Sequence, residues 1–95
     1  MIEVTRQSGD DPLTFDVVVR EDDEETRHRV TLAAGYFARL APGRAPERCI
    51  EAAFRFLLDR EPAQAILSRF DVDVIAKYFP EFERELPHYL ADTLR

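Results

Sequence analysis

The chain has 95 residues, 45% hydrophobic and 34% charged, which is the composition of one packed domain rather than of a disordered or fibrous chain. Its 19 acidic residues against 13 basic ones leave a formal charge of -6, which repels phosphate backbones and anionic headgroups and disfavours unassisted nucleic-acid or membrane binding. One cysteine excludes an internal disulfide, nothing at the start reads as a secretory leader, and no apolar run approaches the roughly 20 residues of a membrane span, so a cytoplasmic protein is expected.

Ile2 and Val4 alternate with Glu3 and Thr5, and the stretch 7–12 then gathers Ser8, Gly9, Asp10, Asp11 and Pro12, which predicts a short strand followed by a turn. Period-two alternation returns at Phe15, Val17 and Val19, and again at His28, Val30 and Leu32. That pattern, rich in β-branched residues, predicts a hairpin. Its acidic tip, Glu21, Asp22, Asp23, Glu24 and Glu25, lacks the Asn-Gly or Asp-Gly pair of a tight turn and predicts a longer, mobile loop.

From Ala33 the spacing becomes helical, with Ala33, Tyr36, Phe37 and Leu40 on one face, until Pro42, Gly43 and Pro46 break the chain. Pro46 suits the first position of the next helix, over 46–60, because its missing N–H is not needed there. Ile50, Ala53, Phe54, Leu57 and Leu58 form the apolar stripe of that helix. Cys49 and Phe56 widen the stripe to about half the circumference, so the helix has to be covered from more than one side. Pro62 predicts a further short helix with Ala63, Ile66, Leu67 and Phe70 turned inward. Asp71 or Asp73 can cap another, through Val74, Ile75, Tyr78 and Phe79, by accepting its free N–H groups. Pro80 closes it. Glu81, Glu83 and Glu85 suit a first helical turn, and Pro87 is expected to interrupt the chain before a frayed tail with Tyr89, Leu90 and Leu94.

Together these elements predict an α+β fold in a single domain, 1–95. An antiparallel sheet of two or three strands from 1–32 precedes a cluster of four or five short helices from 33–95. Segregation of strands before helices argues against a parallel sheet.

The motifs that carry chemistry are few. The segment 61–79 loosely resembles a helix-turn-helix, with Ile66, Phe70, Val72 and Ile75 at packing positions. Asp71 stands where a turn glycine is usual, and the would-be reading helix offers only Lys77 as a cation, whereas base and phosphate contacts need several. The segment is therefore expected to be two core-packing helices. Cys49 lies on a helix face turned to the interior, and neither His28 nor His88 has a reason in the sequence to approach it, so a structural thiol is expected and no catalytic residue is assigned. Two histidines without spaced partners make no metal site, and no cofactor motif is present.

The acidic tip lacks the alternating ligands and central glycine of a calcium loop. It reads either as a solubility device that discourages edge pairing or as a surface binding a basic partner. The aromatic series Phe54, Phe56, Phe70, Tyr78, Phe79, Phe82 and Tyr89 is expected to fill the core, with one or two members left over as an exposed patch that marks an interface.

The strings FRFLLDREP from residue 54 and YFPEFE from residue 78, with Ile66 and Leu67 between them, resemble a small family of uncharacterised bacterial proteins. The resemblance covers roughly the C-terminal half and part of the hairpin. It implies a bacterial, single-domain, non-secreted protein and carries over no site residue. The expected function is a small cytoplasmic interaction or regulatory module whose partner is a protein, a second copy of the chain included. A DNA-associated regulator using 61–79 is the alternative.

Overall fold

The computed structural model describes residues 1–92, so the expectation for Leu94 lies outside the described residues. Strand β1 (Ile2–Arg6) pairs antiparallel with β2 (Leu13–Glu21), which pairs antiparallel with β3 (Glu24–Leu32). Helices α1 (Ala34–Leu40) and α2 (Pro46–Leu58) follow, then a single 3-10 turn (Ala63–Ala65). Strand β4 (Arg69–Asp71), α3 (Asp73–Tyr78) and α4 (Phe82–Asp92) complete the chain as described. The sheet order is β1-β2-β3-β4, and β4 runs parallel to β3.

The fold class is α+β, with two corrections to the sheet. It has four strands rather than two or three, and it is mixed rather than antiparallel. A parallel neighbour needs a long crossover, and here α1 and α2 supply it between β3 and β4. The spacing Ala63, Ile66, Leu67, Phe70 imitates a helix, but Pro62 is followed by only one turn before the chain extends. Phe70 pairs with Val30, and Asp71 with Thr31. Side chains of β3 reinforce the short pairing: the Thr31 hydroxyl donates to Asp71 Oδ2 at 2.6 Å.

Alternation places Phe15, Val17, Val19, Val30 and Leu32 on one sheet face, all fully buried. Helix α2 covers that face and is itself covered by α4, so its buried residues, from Cys49 through Leu57, span more than one side. Phe56 faces α4, where its ring meets Phe79, Phe82 and Tyr89 edge-on at 5.1–5.9 Å between centroids. The Arg60 guanidinium lies 3.6 Å above the same ring and donates to Glu81 at 3.1 Å, joining the end of α2 to the start of α4. Pro87 sits inside α4 and does not interrupt it. Phe82, Leu86 and Leu90 recur every fourth residue and are all buried, so packing outweighs the backbone bond that proline removes in the middle of the helix.

The other sheet face carries charge. Glu25 accepts from Arg20 at 2.9 Å and pairs with Arg27 at 2.9 Å, Arg20 also pairs with Glu3, and Arg29 pairs with Asp16 at 2.8 Å. At the hairpin tip the pairing runs to Glu21 opposite Glu24, leaving only Asp22 and Asp23 in the turn. The expected long, mobile loop is therefore a tight two-residue turn. Asp22 makes it possible by taking a left-handed conformation with φ 54°, which aspartate tolerates better than most residues. Asp22→Gly should raise stability by up to about 1 kcal/mol, by removing that conformational cost and one of several crowded carboxylates. Thermal unfolding checks this; a lower melting temperature would mean that the Asp22 side chain holds the turn.

Candidate interaction surface

Most polar groups flagged by the sequence turn out to be structural. Cys49 is completely buried, and burial pushes its thiol up to about 12, far above the range in which a thiolate nucleophile works. His28 is buried beneath Phe54, with ring centroids 5.3 Å apart. Its Nδ1 lies 2.8 Å from the Leu67 carbonyl oxygen and its Nε2 lies 2.9 Å from the Thr26 hydroxyl. Nδ1–H therefore donates to Leu67 while Nε2 accepts from Thr26, which satisfies both nitrogens and fixes the loop before β4. His88 is exposed on α4. Among the described residues no three His, Cys, Asp or Glu side chains converge as a metal site.

The segment 61–79 does not form a helix-turn-helix. A 3-10 turn and a strand occupy the place of its first helix, and Asp71 Oδ1 accepts from the Asp73 N–H at 3.1 Å as the chain enters α3. Lys77 is exposed on that six-residue helix. Among the described residues no helix is long and apolar enough to cross a membrane.

The same segment makes something else. The loop after the 3-10 turn, β4 and α3 surround an open groove of about 380 Å³. Leu57, Ile66, Leu67, Phe70, Tyr78 and Phe79 contribute to its apolar lining, and Glu61 is its one charged group among the described residues. Two of these side chains are conspicuous by exposure, Leu67 at 51% and Tyr78 at 70%. Phe70 and Phe79 sit partly buried behind them, Phe70 tilted against the core ring Phe54 and Phe79 edge-on to Phe56. The groove floor is thus anchored in the hydrophobic core, while its rim is left in water.

Glu61 also lines a second recess, of about 360 Å³, with Glu21, Asp22 and Glu24 from the hairpin tip and Leu58, Pro62, Ala63 and Gln64. The structure thereby separates the tip residues. Glu25 is held on the open sheet face by Arg20 and Arg27, which keep its carboxyl below the usual carboxylate range. Asp23 projects from the turn, exposed. Glu21, Asp22 and Glu24 share the second recess with Glu61, and none of these four forms an ion pair among the described residues. Among the described residues no lysine or arginine lines either recess.

Tyr78 was legible in the sequence as a member of an aromatic series too long for one small core. Leu67 was not, because helical spacing turns it inward whereas the actual strand approach turns it out. No family model, curated protein or solved structure matches the chain, so the functional reading rests on this geometry.

Proposed function

We propose that the chain is a small cytoplasmic protein-interaction module without catalytic activity, and that the apolar groove is its working surface. The observation that carries this reading is the pairing of Leu67 and Tyr78, both exposed, on a groove whose floor is continuous with the core. Isolated exposed apolar residues are ordinary, but a contiguous apolar concavity rimmed by polar groups is what an interface leaves uncovered in the free protein. Tyrosine at such a rim also supplies large contact area with little side-chain entropy to lose.

The reading is tested by affinity purification of the tagged protein from its native cell extract, beside a Leu67→Ser/Tyr78→Ser variant of equal melting temperature. A partner protein enriched at least tenfold by the wild type and lost with the variant is the expected result. Identical recoveries would contradict it. Sedimentation of both purified proteins identifies the case in which the partner is a second copy, since only the wild type should then dimerise.

A further inference from the structure

Building on the groove reading, we infer that the occupant is a cationic amphipathic segment of a partner protein, its apolar side chains entering the groove and its lysines or arginines meeting Glu21, Asp22, Glu24 and Glu61. Three features of the surface converge on this chemistry. First, the apolar groove and the acidic recess adjoin at Glu61, which lines both. Second, the four carboxylates lack cationic partners among the described residues, whereas neighbouring Glu25, Glu3 and Asp16 are all paired with arginines. Glu21 faces Glu24 directly across the hairpin, a like-charge pair that disfavours the free protein and that a bound cation would relieve. Third, a small polar ligand is poorly served by a groove with one charged group and few hydrogen-bonding side chains, since such sites depend on several placed polar groups. An apolar face flanked by cations matches both halves of the surface at once.

The test titrates the full chain with two synthetic peptides of about 18 residues, long enough to be helical when bound. They share a leucine face and carry either lysine or glutamate on the other. The lysine peptide should bind at least tenfold more tightly than the glutamate peptide. Glu21→Gln/Glu24→Gln/Glu61→Gln should weaken the lysine peptide at least tenfold. An Asp10→Asn/Glu51→Gln/Glu85→Gln control, with the same change of net charge placed elsewhere, should weaken it less than threefold. Equal binding of the two peptides, or equal effects of the two triple variants, would overturn the inference while leaving the groove reading in place. Retention of lysine-peptide binding by Leu67→Ser/Tyr78→Ser, or no binding of either peptide at about 1 mM, would overturn both.

Discussion

Phe56→Ala should cost about 3–5 kcal/mol, the range for removing a ring from a packed interior. A domain of 95 residues at roughly 0.05–0.15 kcal/mol per residue has only about 5–14 kcal/mol in total, so this one change removes a large share of it. The size of the effect follows from where the ring stands. Phe56 is wholly buried between α2 and α4, makes edge contacts with Phe79, Phe82 and Tyr89, and carries the Arg60 guanidinium on its face. Each aromatic pair contributes about 0.5–1.5 kcal/mol beyond the area it buries. Phe56→Leu, which keeps most of the volume and loses only the ring geometry, should cost clearly less. Denaturant titration measures both; a Phe56→Ala loss below about 1 kcal/mol would mean that α2 and α4 do not share a core.

Two aliphatic truncations on the same helix separate enclosed core from groove. Ile50 is fully buried and Leu57 is 4% exposed, so burial alone predicts similar losses, about 2–5 kcal/mol for each change to alanine. Their surroundings differ, because Leu57 lines the open groove and Ile50 does not. A hole left by Ile50→Ala is closed on all sides and keeps its full cavity cost. A hole left by Leu57→Ala opens toward solvent, where neighbouring side chains can settle into it. Ile50→Ala should therefore be the more destabilising by about 1 kcal/mol, the cost of a few tens of Å³ of unfilled space. The reverse order, found by denaturant titration, would place Leu57 in the enclosed core and the groove elsewhere.

The elements that could be read from the sequence are those whose apolar period is long enough to be unambiguous. Phe15, Val17 and Val19 opposite His28, Val30 and Leu32 define the inward face of the hairpin, and the wide stripe of α2 announces that the helix is covered twice. Strand β4 escapes this logic because three residues with one apolar member, Phe70, display no period at all. Its identity is conferred by β3, through the backbone pairing and through the Thr31 and His28 side chains that reach it and its preceding loop. Pro87 misleads for the opposite reason: a local rule against helix is overruled by the Phe82, Leu86 and Leu90 stripe. The acidic tip was visible as charge, but its division into a paired Glu25 and, among the described residues, a Glu21 and Glu24 without cationic partners depends on which strand face each residue takes. The groove itself follows from strand β4, since the turn and loop that lead into Arg69–Asp71, where a helix is expected, leave Leu67 exposed on the surface that Tyr78 also lines.

Amide chemical-shift mapping on the labelled full chain, titrated with the leucine–lysine peptide, locates the bound surface residue by residue. Shifts should concentrate at Leu67, Phe70, Val74 and Tyr78 and extend through Glu61 to Glu21 and Glu24, with the open sheet face around Asp16, Val18 and Arg29 unmoved. Shifts centred instead on that sheet face or on the outer strand β1, with the groove residues unmoved, would contradict it.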